Sequence, residues 1–220
     1  MPVRAVLFDF DLTLADSSAG IVECTGHALR RLGCPPVRPE QIHAVIGLAL
    51  PAMYRTLTGE GDEGDEVRAA AFARYFVERA DEVMVTSTRI YPEVLDLFAA
   101  LHERGIAIGI VSSKFRYRIE AILAVAGLQS QADVIVGGED VARHKPDPEG
   151  LVYALTRLGL PAHAAIYVGD HAVDALAAEQ AGIPFVGVVS GTTSFDAWSR
   201  QGKQSVMQSI GELVDIVQKR

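Results

Sequence analysis

From residue 91 to 188, short, wholly apolar runs alternate with helical stretches, and this cadence restricts the fold more than any other feature of the chain. A helix is predicted over 93–103 and is stopped by Gly105; 106–111 follows as a continuous apolar strand ending at Ser112 and Ser113. The order then repeats as helix 118–126, strand 133–136, helix 148–158, strand 165–168, helix 172–181 and strand 185–188. Strands without polar alternation must be covered on both faces, and the helices between them are the natural crossovers. The expected architecture is therefore α/β, a doubly wound, Rossmann-like parallel sheet. One more run of this kind, 4–8, stands near the start and ends in Asp9 and Asp11.

Between that first strand and the cadence the pattern is helical. Asp16 or Ser17 reads as an N-cap and Gly33 as a stop, and helices are predicted over 16–32, 39–46 and 67–85 with no strand among them. The acidic run 60–66 reads as a solvated loop, since it lacks the ligand spacing of an EF-hand. Residues 16–87 thus form an all-helical insertion, a domain of its own, in a core made of 1–15 and 88–220.

A chain of 220 residues can bury a core without disulfide staples. Cys24 and Cys34 belong to no Cys-x-x-Cys or Cys/His cluster and read as buried thiols of a reducing cytosol. Arg4, Asp9 and Asp11 interrupt the first apolar run, so no signal-peptide core is expected, and no segment is long enough for a membrane span. The net charge of -8, without a basic stripe, argues against nucleic acid or an anionic membrane as partner. A cytoplasmic monomer or homodimer that handles a small anion is expected.

In open α/β sheets the ligand crevice lies at the carboxyl ends of the strands. The residues predicted there are Asp9, Asp11 and Thr13; Ser112, Ser113 and Lys114; Lys145; and Gly169, Asp170 and Asp174. Asp9 and Asp11 project to the same side of an extended strand and repel unless a cation or proton intervenes. With Asp170 they make a set of hard oxygen ligands of the kind Mg²⁺ prefers, and Lys145 balances remaining charge. A carboxylate shielded in this way can attack phosphorus while a second acid moves protons. Lys114 is read as a solvated lysine.

These residues fall into four ordered motifs: Asp9-Phe10-Asp11-Leu12-Thr13; Ser112 at the end of an apolar strand; Lys145-Pro146; and Gly169-Asp170-His171-Ala172-Val173-Asp174. In them the chain resembles the haloacid dehalogenase-like superfamily of phosphotransferases, in its phosphoglycolate phosphatase-like branch. The resemblance implies that the helical insertion is a mobile cap of the C1 type. It makes Asp9 the nucleophile, Asp11 the general acid and then base, and Thr13, Ser112, Ser113 and Lys145 holders of the phosphate. Asp9, Asp11 (through its main-chain carbonyl), Asp170 and Asp174 become the Mg²⁺ site, with Asp174 supporting either the metal or Lys145. Gly47, in the segment 46–50, would face the substrate, and Arg55 is the cap arginine chosen as a substrate contact.

Two positions depart from the family pattern. Leu12 stands where glycine is usual, so the turn lacks a free φ or Leu12 faces apolar packing. His171 stands where a small hydroxyl residue is common, either to tune metal access or simply as a surface imidazole. The second acid, Asp11, argues for phosphoester chemistry rather than dehalogenation. The absence of any lysine before Lys114 argues against a cap Schiff base. The implied activity is Mg²⁺-dependent hydrolysis of a small phosphorylated metabolite: a phosphoglycolate-like ester, a sugar phosphate, a nucleotide or pyrophosphate. A sugar-phosphate mutase and a non-catalytic phosphometabolite-binding regulator are the alternatives.

Overall fold

The computed structural model describes residues 2–59, 65–200 and 205–218. In chain order the elements are β1 (Ala5–Phe8), β2 (Ala15–Asp16), α1 (Ser18–Arg31), α2 (Pro39–His43), α3 (Leu50–Thr58), α4 (Asp65–Ser87), β3 (Arg89–Ile90), α5 (Glu93–Glu103), β4 (Ala107–Val111), α6 (Arg116–Val125) and β5 (Val134–Val136). There follow α7 (Glu149–Leu158), β6 (Ala165–Gly169), α8 (Ala172–Ala181), β7 (Phe185–Val188), α9 (Phe195–Arg200), β8 (Val206–Met207) and α10 (Leu213–Gln218).

Six strands pair in the order β5-β4-β1-β6-β7-β8, every pair parallel. All four residues of β1 are buried because both faces of the sheet are covered. Val6 and Phe8 point to a cluster formed with Val94, Phe98 and Ile119. Ala5 and Leu7 point to the opposite cluster, with Leu151, Tyr167 and Ala178. That division is the period-two alternation of a strand buried twice over. The chain leaves β1 for β4 and β5 on one side, then crosses to β6, β7 and β8 on the other, so the order reverses beside β1. A crevice opens at such a switch point, beyond the carboxyl ends of the strands.

The insertion has its own apolar cluster, in which α1 lies along α4 and α3 closes the side. Tyr54, Phe72 and Phe76 form a chain of tilted aromatic rings through it. Three details differ from the sequence reading. The segment 50–58 is helical as α3. The acidic run 60–66 is only partly described: 60–64 lie outside the described residues, and Asp65 and Glu66 open α4, where acids favour the positive end of the helix dipole. Where the chain enters and leaves the insertion, β2 and β3 pair antiparallel, Ala15 beside Ile90 and Asp16 beside Arg89. Two residues on each side are too few to show a strand period. Cys24 is buried, whereas Cys34 is half-buried, and both thiols are free.

Leu12 resolves the question raised by its place in the motif. It adopts a left-handed φ of 60°, and its amide donates to the Ala15 carbonyl at 2.7 Å, closing the turn after β1. Its side chain is buried within the cluster of the insertion, so the turn keeps the left-handed φ that glycine would take and the apolar packing is the expectation that is met. A left-handed non-glycine residue costs about 1–2 kcal/mol. Removing a buried leucine costs about 2–5 kcal/mol. Packing wins, and Leu12→Gly is expected to destabilise the protein by about 1–3 kcal/mol in urea unfolding; a gain in stability would show that strain dominates.

Candidate active site

The carboxyl ends of β1 and β6 lie side by side, and the acids that follow them share one buried space. Carboxylate oxygens of Asp9, Asp170 and Asp174 all lie within 4.8 Å of one another. Lys145, from the loop before α7, inserts between two of them, with Nζ 2.9 Å from Asp9 Oδ1 and 2.6 Å from Asp174 Oδ1. The hydroxyl of Tyr167, on β6, accepts from Lys145 at 3.2 Å and stands 3.0 Å from the same Asp174 oxygen. Burial opposes the charge on Lys145, but Asp174 and Asp9 outweigh it and hold the lysine well above its ordinary value.

Each acid is oriented by a separate part of the chain. Asp174 sits in the first turn of α8, where its Oδ2 accepts the His171 amide at 3.0 Å. Asp170 accepts the Thr13 hydroxyl at 3.2 Å on Oδ1 and the Thr192 amide at 2.9 Å on Oδ2. The loop carrying Thr192 comes so close that a Cβ on Gly191 would lie 2.0 Å from Asp170 Oδ2, which only glycine avoids. Asp9 is the exception: it is buried, and neither oxygen makes an aligned hydrogen bond among the described residues. Burial raises Asp9 to about 6. Burial, then the charges of Asp174 and Asp9, raises Asp170 to about 8. Three clustered, buried carboxylates with one ammonium among them, and an Asp9 Oδ2 without a hydrogen-bond donor among the described residues, are a site that fits a hard divalent cation.

Asp11 is turned away from this cluster. Its Oδ1 accepts the Ser17 hydroxyl and lies 3.0 Å from Nζ of Lys114. The solvated reading of Lys114 is therefore wrong: Lys114 is buried against Asp11. Nothing in a local Ser-Ser-Lys segment marks that burial, because the acid that causes it lies a hundred residues upstream. Ser112, at the end of β4, is buried, and its Oγ faces the Lys114 amide at 3.4 Å. Ser113 donates to the Gly47 carbonyl at 3.3 Å, so the two predicted residues meet where the insertion touches the core. Gly47 has φ +98°, and a Cβ there would lie 3.4 Å from the His171 Cβ. Arg55 is not brought to the site; it is half-exposed on α3 and faces Asp65 at 3.8 Å. Its helix directs it along the insertion rather than toward the crevice. His171 is a helix cap rather than a free surface imidazole. Its Nδ1 accepts the Val173 amide at 3.1 Å, and burial lowers its basicity, which keeps that nitrogen available as an acceptor.

Acids and a lysine converging on the switch point of a parallel sheet with an inserted helical block define a class, the haloacid dehalogenase-like hydrolases, and the chain belongs to that family. The family's model matches residues 6–188. The chain is 33% identical over 209 residues to the protein named "Probable phosphatase IndB" of Dickeya dadantii, covering 95% of this chain and 91% of the relative. It is 30% identical over 234 aligned residues to the phosphoglycolate phosphatase of Salmonella typhimurium, covering 96% and 91%. A crystal structure of a haloacid dehalogenase-like hydrolase from Bacteroides fragilis superposes with a TM-score of 0.90 at 38% identity, covering 96% of this chain and 99% of that one. The chain is thus an enzyme, a hydrolase of the phosphatase kind in the phosphoglycolate phosphatase-like branch. No helix among the described residues is long and apolar enough to cross a membrane.

Two outcomes follow from the geometry. Lys114→Ala leaves Asp11 buried without its counter-charge and is expected to destabilise by about 3–5 kcal/mol in urea unfolding; a loss under about 1 kcal/mol would place Asp11 in solvent contact. The raised carboxyls mean that the native state holds protons which the unfolded chain, with carboxyls near 3.8, has already released. Stability in chelator should therefore fall as pH rises from about 4 to about 8, and the thermal midpoint should be lower at pH 8 than at pH 6. Adding Mg²⁺ at pH 8 should raise it again; an unchanged midpoint would detach the acids from any cation.

Proposed function

We propose that the chain is a Mg²⁺-dependent phosphatase that hydrolyses a small, phosphoglycolate-like phosphate monoester through a phosphoryl group carried on Asp9. The observation that supports this most is the state of Asp9: buried, with Oδ1 facing the Lys145 ammonium at 2.9 Å and no hydrogen-bond donor on Oδ2 among the described residues, so that one oxygen is charge-balanced and the other has lone pairs free for phosphorus. Residues 1–15 and 88–220 are read as the catalytic core and 16–87 as a cap that closes over it. The paired β2 and β3 are the point where the two move relative to each other.

Asp9 attacks phosphorus in line with the leaving oxygen, whose bond to phosphorus breaks as Asp11 gives it a proton. Water then gives a proton to Asp11 and attacks the same phosphorus, which releases Asp9 and inorganic phosphate. Lys145, Thr13, Ser112 and Ser113 hold the phosphoryl oxygens, and Lys114 and Ser17 fix the Asp11 oxygen in place. Asp9, Asp170 and the main-chain carbonyl of Asp11 would hold Mg²⁺, with Asp174 behind them through Lys145, and the ion would supply charge neutralisation of the transferring group.

The leaving group is read from the pocket between Asp11 and the cap, which has a volume of about 40 Å³. The narrow space beside Asp11 suits a leaving group as short as glycolate. The acidic charge and free thiols support a cytoplasmic enzyme without a nucleic-acid partner, acting as monomer or homodimer.

Asp9→Asn is expected to lower phosphate release from phosphoglycolate to below about 10⁻³ of wild type while folding is retained, because it also relieves charge crowding. Turnover close to wild type would remove Asp9 from the chemistry. Replacing Mg²⁺ by Ca²⁺ should inhibit, since the larger ion takes more oxygen ligands and grips the nucleophile; equal rates would place the metal elsewhere.

A further inference from the structure

One charged side chain in the wall of this pocket takes no part in the chemistry above. Arg118, in the first turn of α6, is only 4% exposed. A guanidinium so buried needs acceptors for its N–H groups. Its Nη2 donates to Asp81 Oδ1 at 2.6 Å and lies 2.7 Å from the Tyr117 hydroxyl, which itself donates to the same Asp81 oxygen at 2.6 Å. Asp81 belongs to α4, so these bonds join the inserted helices to the core.

Nε of Arg118 is different. It is buried and has no hydrogen-bond partner among the described residues. The remaining wall of the pocket is mainly apolar, with Leu48, Met53 and Phe76 across from it. The pocket's second cation, Lys114, is engaged by Asp11 at 3.0 Å. The wall of the pocket thus includes a buried guanidinium that is paired with Asp81 on one side and packed over the Phe115 and Tyr117 rings, but whose Nε lacks an acceptor among the described residues, and this wall borders the place where the leaving group of the proposed reaction belongs. A buried donor of this kind costs stability until an oxygen meets it, and an anionic oxygen meets it best.

Resting on the phosphatase reading above, we infer that Arg118 determines specificity by binding a carboxylate on the leaving group, and that Asp81 is a positioning residue that aims Arg118 from the inserted helices. Recognition of the leaving group is then tied to the seating of those helices, since the bond that orients Arg118 crosses the junction. Asp81 is held below its ordinary carboxyl value, because the Arg118 and Tyr117 hydrogen bonds outweigh its partial burial, so it stays an ionised anchor.

The test compares phosphoglycolate with hydroxyethyl phosphate, which replaces the carboxylate by a neutral hydroxymethyl group. Wild-type enzyme should prefer phosphoglycolate in kcat/KM, and Arg118→Gln should erase about 10- to 100-fold of that preference. Arg118→Lys should restore part of it, and Asp81→Asn should weaken it chiefly through KM. Equal losses on both esters would mean that Arg118 is merely structural, and turnover of both esters by wild type with equal kcat/KM would overturn the inference outright. Calorimetric binding of both esters to Asp9→Asn, with and without Arg118→Gln, reads the subsite without turnover. Tighter binding of phosphoglycolate that Arg118→Gln abolishes supports the subsite even if wild type releases phosphate from neither ester, an outcome that would overturn the phosphatase reading alone. Equal binding of the two esters overturns the subsite.

Discussion

Lys145 stands between Asp9 and Asp174, at 2.9 and 2.6 Å, in a space from which water is excluded, and the arrangement of the core serves that contact. Three carboxylates within 4.8 Å of one another exceed what one ammonium can balance. Burial of such a set costs several kcal/mol per ion unless each charge finds partners. The partners come from four places: Thr13 after β1, the His171 amide at the start of α8, Tyr167 on β6 and Thr192 beyond β7. Only a sheet whose strand order reverses beside β1 brings these together. The apolar packing on both its faces supplies the stability that offsets the crowding. What remains unbalanced is concentrated at Asp9 and Asp170, where the proposed cation and phosphoryl group would offset it.

The inserted helices meet this centre through a few contacts of different chemistry. Leu12 carries the turn after Asp11 into the apolar interior of the insertion, Ser113 holds the Gly47 carbonyl, and Asp81 holds Arg118 and Tyr117. The first is non-directional and tolerates sliding; the other two depend on angle and distance. Seating the helices thus fixes the polar contacts without requiring a large polar interface. All three involve residues that stand next to Asp11 or line the pocket, so the insertion touches the site directly.

The apolar strands and their acidic ends were legible because both signals are local: a run such as 5–8 can only be buried, Asp9, Asp11 and Asp170 stand at the ends of such runs, and Asp174 follows Asp170 by one helical turn. Lys145 was legible through its neighbouring Pro146. Lys114 was not, since its burial depends on Asp11, distant in sequence and adjacent only after β1 and β4 pair. Arg118 was hidden for the same reason, its anchor lying on α4. Arg55 misled in the opposite sense: its place just after the Gly47 segment suggested a substrate contact, but the course of α3 brings it to Asp65. The short strands β2, β3 and β8 carry no period, and the close approach of Gly191 to Asp170 is a fact of the fold rather than of any motif.

The central claim is that the phosphoryl group rests on Asp9 between two half-reactions, and a rapid acid quench of enzyme mixed with phosphoglycolate carrying a radiolabelled phosphoryl group tests it most directly. The account predicts label on the peptide that contains Asp9, formed within the first turnover, dependent on Mg²⁺ and released by hydroxylamine as expected of an acyl phosphate. Steady release of labelled phosphate with no label on that peptide at any quench time would contradict it.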